Sequence, residues 1–224
     1  PIVAVTDGTR VRPHFEVLLR LRDEEGREVM PPEFIPAAER YNVMPLLDRW
    51  VLEQVLEQLV PTRRDGRDEA PYTVAVNLSG TTLSDPGFIE SLVEMLERRD
   101  PVPGVLCLEI TETAAIANLA TASYVMRELA SRGCLLALDD FGSGLSSFNY
   151  LRTLPVHYLK IDGQFVRNVA DDPVDKSVVE AIVQVGRAMG VETIAECVET
   201  RAVLDTLREI GVGFAQGWLL GEPR

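Results

Sequence analysis

Cysteine, histidine and aromatic residues are scarce in this chain. The three cysteines, Cys107, Cys134 and Cys197, are an odd number with no CxxC spacing. That excludes a disulfide framework and a zinc site and points to a reducing compartment, the cytoplasm. Cys107 and Cys134 lie in or beside apolar runs and read as core filler. His14 and His157 stand apart, with no partner pattern that suggests a metal site or a base. No apolar stretch approaches the roughly 20 residues of a membrane helix, and the opening Pro1-Ile2-Val3-Ala4-Val5 reads as a strand, not a leader. Basic residues are outnumbered: 22 Lys and Arg against 35 Asp and Glu give a formal net charge of −13. This balance argues against a nucleic-acid polymer or an anionic membrane surface as a partner. It leaves room for a small anion held through a divalent cation.

What the chain does have is size and alternation. Its 224 residues are 46% hydrophobic, enough to bury about 70% of the unfolded surface, so disorder is excluded. Short apolar runs predict eight strands: Ile2–Val5, Phe15–Leu21, Thr73–Asn77, Val105–Ile110, Leu135–Asp139, Tyr158–Ile161, Thr193–Glu196 and Gly213–Gln216. Between them lie helical faces, drawn by Leu119, Ala122, Val125, Met126 and Leu129, by Val178, Ile182, Val185 and Met189, and by Val203, Leu204, Leu207 and Ile210. Ser84-Asp85-Pro86, Asp172-Pro173 and Thr200 supply helix start signals. A long helix over about Met44–Leu59 precedes a charged loop, Pro61–Pro71. The pattern predicts an α/β fold, a TIM-like (β/α)8 barrel in one domain over 1–224. Only Thr6–His14 separates the first two strands, too short for a parallel crossover, so these two are expected to pair antiparallel, making the barrel irregular at its start.

In such a barrel the chemistry sits at the C-terminal ends of the strands. Those ends carry Asn77, Glu109, Asp139-Asp140, Glu196 and Gln216, with Lys160 in the sixth strand. Glu16 and Arg20 share the parity of the second strand and are expected to face the same mouth. Carboxylates that converge repel one another and are costly to bury unpaired. A set of Glu16, Glu109, Asp139 and Asp140 with the neutral oxygen of Asn77 is therefore best explained by divalent cations, and an all-oxygen donor set suits Mg²⁺ or Mn²⁺. Lys160 among these acids is either a structural ion-pair partner or the group that orients or deprotonates a nucleophilic water. The loop Asp140-Phe141-Gly142-Ser143-Gly144-Leu145-Ser146-Ser147 suits a mobile segment that shapes a site.

These residues resemble the EAL family, cyclic di-GMP phosphodiesterase domains of bacteria. The resemblance rests on Glu16-Val17-Leu18-Leu19-Arg20, Pro32-Glu33-Phe34-Ile35-Pro36, Val76-Asn77-Leu78-Ser79, Glu109-Ile110-Thr111-Glu112, Asp139-Asp140-Phe141-Gly142, Lys160-Ile161-Asp162, Ala195-Glu196-Cys197-Val198-Glu199 and Gln216-Gly217-Trp218, in family order. It implies hydrolysis of cyclic di-GMP to linear pGpG by a two-metal mechanism. It implies metal-site roles for Glu16, Asn77, Glu109, Asp139, Asp140 and Glu196, and action of Lys160 on the nucleophilic water, with Glu16 and Asp139 also catalytic. Arg20, Leu18, Pro32, Gln216 and Glu199 would lie on the substrate side, and Glu112 would hold the loop after strand five. A homodimer through the strand-five to strand-six region, and fusion to GGDEF or sensor domains in a larger signalling protein, are further implications. The alternative is a catalytically silent cyclic di-GMP receptor domain. Val17 for Ala, Trp218 for Tyr or Phe, Leu145 for an aromatic, and Cys197 for the usual glycine are the departures. At Cys197 either the side chain points away or a positive φ is strained.

Overall fold

A computed structural model describes residues 1–5, 12–63, 66, 69–144 and 148–223. Its strands are β1 (Val3–Ala4), β2 (His14–Val17), β3 (Leu21–Arg22), β4 (Glu28–Val29), β5 (Thr73–Asn77), β6 (Leu106–Thr111), β7 (Leu135–Phe141), β8 (Tyr158–Ile161), β9 (Glu192–Ala195) and β10 (Phe214–Ala215). The helices are α1 (Pro31–Arg40), α2 (Met44–Gln58), α3 (Gly80–Leu83), α4 (Pro86–Arg99), α5 (Glu112–Ala117), α6 (Leu119–Ser131), α7 (Gly163–Val166), α8 (Pro173–Met189) and α9 (Arg201–Ile210), with a 3₁₀ turn over Phe148–Thr153.

Eight strands form one sheet in the order β1-β10-β9-β8-β7-β6-β5-β2. Neighbours from β2 round to β10 are parallel, and β1 lies antiparallel to β10, Val3 opposite Ala215. A single antiparallel bridge between Ile2 and His14, with the Ile2 amide donating to the His14 carbonyl at 2.8 Å, brings the two edges together. The barrel is thus nearly closed. The first strand is antiparallel as expected, but its ladder is with β10, not with β2, which it meets among the described residues only at that bridge.

Helix starts follow local chemistry. Asp85, Asn118, Asp172 and Thr200 each accept a backbone N–H of the first turn of α4, α6, α8 and α9, satisfying donors that have no partner within the helix. The buried face of α8 comprises Val179, Ile182, Val183 and Gly186, with Val178, Val185 and Met189 at its edge. It is rotated by about one residue from the face the spacing suggests. Burying each such aliphatic side chain contributes about 1.5–3 kcal/mol. Strand residues alternate: Val74, Leu106, Leu108, Leu136, Leu138 and Leu159 join the helix-packed core, while Ala75, Cys107 and Ala137 cluster with Tyr158 on the opposite face.

The second strand differs from expectation. The second strand ends at Val17, not Leu21, and Leu21–Arg22 pairs instead with Glu28–Val29 in a separate hairpin. The Pro32–Pro36 segment is helical, because Pro31 and Pro32 sit in the first turn of α1, where a missing N–H costs nothing. Residues 6–11 of the first connection, 64, 65, 67 and 68 of the charged loop, Leu145, Ser146 and Ser147 of the glycine-containing loop, and Arg224 lie outside the described residues.

Candidate active site

The parallel strands deliver their polar residues to one end of the barrel. Lys160, on β8, has a side chain only 1% exposed, and its Nζ is ringed by acids from four other segments. Glu109 Oε2 lies at 2.7 Å, Glu196 Oε1 at 2.9 Å, Asp139 Oδ1 at 3.0 Å and Glu16 Oε2 at 3.6 Å. Glu16 in turn accepts from Asn77 Nδ2 at 2.7 Å and from Gln216 Nε2 at 2.6 Å. Residues from β2, β5, β6, β7 and β8 and from the ends of β9 and β10 therefore meet in one basin.

Asp139 and Asp140 are adjacent, and ordinary strand alternation would send their side chains to opposite faces. The register between β7 and β8 shifts between Leu138 and Phe141, and Asp140 has φ +53°. This irregularity breaks the alternation. Carboxylate oxygens of Asp139, Asp140 and Glu196 consequently fall within 4.8 Å of one another.

The electrostatics are unbalanced in favour of negative charge. Five carboxylates (Glu16, Glu109, Asp139, Asp140 and Glu196) surround one ammonium, leaving four formal negative charges. Burial, above all, pushes Glu109 well above the usual carboxylate range and lifts Glu196 to about 7. Asp140 is also raised, by burial and then by the charge of Asp139. Burial would raise Glu16 too, but Lys160 and the hydrogen bonds from Gln216 and Asn77 outweigh it and hold Glu16 low. Burial opposes the charge on Lys160, yet its four acids raise it further. Glu109 Oε1 and Gln216 Oε1 are buried without a hydrogen-bond partner among the described residues, an expensive condition for carboxylate and amide oxygens. Orphaned hard oxygens beside surplus negative charge fit Mg²⁺ or Mn²⁺, and two divalent ions would cancel the four charges.

Glu112 stands behind this basin. It is buried, starts α5, and accepts from the Gly142 amide at 2.9 Å and from the Tyr150 hydroxyl. It thereby ties both described ends of the loop after β7 to the barrel. Nothing local in the sequence distinguishes Tyr150 from a core aromatic.

The substrate-side candidates are less gathered. Arg20 lies beyond the end of β2, so its parity with Glu16 is not that of one strand; it bonds the Leu19 carbonyl at 3.0 Å and pairs with Glu28 at 3.2 Å. Leu18 is exposed and, with Arg20, Trp50 and Gln54, lines a cavity of about 320 Å³ beside α2. Pro32 is exposed in the first turn of α1. Glu199 is exposed and joins no hydrogen bond or ion pair among the described residues, though its charge is felt at Cys197. Trp218 is 73% exposed, so it is not a core residue.

Comparison with known proteins places this geometry. The EAL domain family model matches residues 1–223. The chain is 41% identical over 213 residues to the cyclic di-GMP phosphodiesterase PdeB of Shewanella oneidensis, covering 95% of this chain and 24% of that protein. It is 35% identical to the bifunctional diguanylate cyclase/cyclic di-GMP phosphodiesterase MucR of Pseudomonas aeruginosa, over 93% of this chain and 30% of that one. The chain thus spans about a quarter to a third of these curated relatives. The crystal structure of the FimX EAL domain from Pseudomonas aeruginosa bound to c-di-GMP superimposes with a TM-score of 0.88 at 30% identity, covering 100% of this chain and 88% of that one.

Proposed function

Because the chain belongs to the EAL domain family, we propose that it hydrolyses one phosphodiester bond of cyclic di-GMP to give linear pGpG. The observation that carries this reading is the convergence of Glu109, Glu196, Asp139 and Glu16 on Lys160 within 3.6 Å. Glu16, Asn77, Glu109, Asp139, Asp140 and Glu196 would hold two Mg²⁺ or Mn²⁺ ions. Bound there, the ions would supply the charge that draws in a dianionic substrate and acidifies the attacking water.

The chain's own groups do the rest. Lys160, kept as an ammonium by the acids around it, is placed to orient the attacking water by donating a hydrogen bond to it, while one of those carboxylates takes the water's proton and passes it on to the leaving oxygen. Attack in line on phosphorus forms one P–O bond and breaks the bond to the 3′ oxygen, which leaves as a hydroxyl. Asn77 and Gln216 fix the orientation of Glu16 through its two oxygens, so that carboxylate does not have to be ordered on binding. Glu112 holds the start of the loop that follows β7, two residues after Asp140.

The test is chromatographic: purified protein, cyclic di-GMP and Mn²⁺ or Mg²⁺ should yield pGpG, and EDTA should stop it. Tight binding of cyclic di-GMP with no pGpG in excess cation would overturn this reading in favour of a receptor domain. The similarity to MucR, whose name includes a diguanylate cyclase, supports a place in a larger cytoplasmic signalling protein fused to a GGDEF domain. A homodimer through the β7–β8 region belongs to the same proposal, and a monomer of full activity by light scattering would remove it.

A further inference from the structure

Glu196 is followed by a residue in a conformation unusual for its type. Cys197 has φ +54°, in the left-handed region that glycine enters freely and a β-carbon disfavours. Two neighbours hold it there. On one side the Val198 amide donates to the Gln216 carbonyl at 2.9 Å, and Gly217 is so close that a β-carbon on it would lie 2.3 Å from Val198 N. On the other side is Gly163, the first residue of α7, three positions after Lys160. A β-carbon on Gly163 would lie 2.5 Å from Cys197 Sγ and 2.9 Å from Cys197 Cβ. Arg167, which donates its backbone N–H to the Gly163 carbonyl at 3.0 Å, also reaches Sγ through Nη2 at 3.2 Å. The Cys197 side chain therefore fills the space that Gly163 leaves. Glu196 is the residue pinned alongside, its amide on the Ile161 carbonyl at 3.3 Å and its carboxylate on Lys160 at 2.9 Å.

We infer that Gly163 is a positioning residue: its missing side chain makes the room in which Cys197 sits, and a β-carbon there would push the 196–197 backbone and carry the Glu196 carboxylate away from the other acids. The inference rests on the reading of Glu196 as a cation ligand. It has a reciprocal signature. Gly163→Ala displaces Cys197, and because the clash includes Cβ, turning Sγ aside does not relieve it; the 196–197 backbone must move. With Cys197→Gly both obstructing atoms are gone, the nearest remaining contact is Arg167 Cζ at 3.6 Å, and glycine takes the positive φ without strain.

The experiment is a double-variant cycle on the whole chain, reading Mn²⁺ affinity by electron paramagnetic resonance without substrate, thermal midpoint, and kcat and KM separately. Gly163→Ala should weaken Mn²⁺ binding at least tenfold and lower kcat more than it raises KM. Cys197→Gly, and Gly163→Ala combined with Cys197→Gly, should both stay within about threefold of the parent. If Gly163→Ala alone does not fold, Gly163→Ala with Cys197→Ala, which removes Sγ but keeps Cβ, should bind Mn²⁺ with intermediate affinity, and parent-like affinity there overturns the inference. So does Gly163→Ala binding Mn²⁺ like the parent, or the glycine double variant binding as weakly as Gly163→Ala. Rescue of Mn²⁺ binding without any pGpG from the parent would leave the inference standing and remove the phosphodiesterase reading. Turnover by the parent with no rescue would do the reverse.

Discussion

Replacing Lys160 with methionine separates two jobs that the ammonium performs. In the metal-free protein it is the counter-charge for Glu109, Glu196, Asp139 and Glu16, at 2.7, 2.9, 3.0 and 3.6 Å. At an effective dielectric constant of about 20, each such pair is worth roughly 5 kcal/mol before desolvation is charged against it. Repulsion among the acids and the cost of burying five ions remove most of that sum. Breaking a buried ion pair from one side costs about 3–5 kcal/mol. For a chain of this length that is a fall in Tm on the order of 10 °C. Cations that occupy the acid cluster would replace the lost charge, and a ligand at a hundredfold excess over its Kd returns about 2.7 kcal/mol. Lys160→Met should therefore melt well below the parent in EDTA, recover most of the difference in millimolar Mn²⁺, and still produce no pGpG. Differential scanning fluorimetry with and without Mn²⁺, beside the product assay, measures all three. Equal melting of the two proteins in EDTA, with equal response to Mn²⁺, would refute the account of the basin as surplus negative charge.

Asp139→Asn should lose turnover by several orders of magnitude while the circular dichroism spectrum and cyclic di-GMP binding persist; near-parent rates under controlled metal would exclude Asp139 as an essential ligand. Glu112→Gln keeps one acceptor but loses the charge that faces the Gly142 amide and the Tyr150 hydroxyl. It should cut kcat at least tenfold with a Tm change of a few degrees, and Tyr150→Phe should have a smaller effect in the same direction, both read by steady-state kinetics. His14 is buried, and its pKa is lowered from 6.5 to about 4, first by burial and then by Lys160. The unfolded chain then binds the extra proton between those values, so the stability that neutral His14 provides is complete above pH 6.5 and is lost as pH falls to about 4. The full shift is worth about 3 kcal/mol. Urea melts of the metal-free protein at pH 7 and pH 5 should show the loss, and a His14→Gln variant with an unchanged pH slope would contradict it.

The barrel was legible because its strands are apolar runs of the right length and several of its helices begin on Asp and Thr caps, both local signals. Glu16, Glu109, Asp139 and Lys160 could be grouped because parallel strands put equivalent ends at one mouth. The placement of Asp140 could not be read so directly. Its side chain joins Asp139 and Glu196 through a register shift and a positive φ, features that depend on how β7 pairs with β8. Tyr150 and Gly163 were silent for a similar reason: each matters through one contact with a residue far along the chain. For Arg20 the parity argument does not hold, because the strand stops at Val17. Of the two possibilities at Cys197, its φ of +54° decides for the left-handed one.

The barrel's wall has a clasp as well as a weld. Its two edges share one backbone bridge near the floor, Ile2 to His14, while at the rim Gln216 and Asn77, from opposite sides of that junction, both grip Glu16. The side chain that would bind a cation also fastens the hoop at its weakest span. A cation held by Glu16 would therefore act on the same side chain that links Asn77 and Gln216 across the junction.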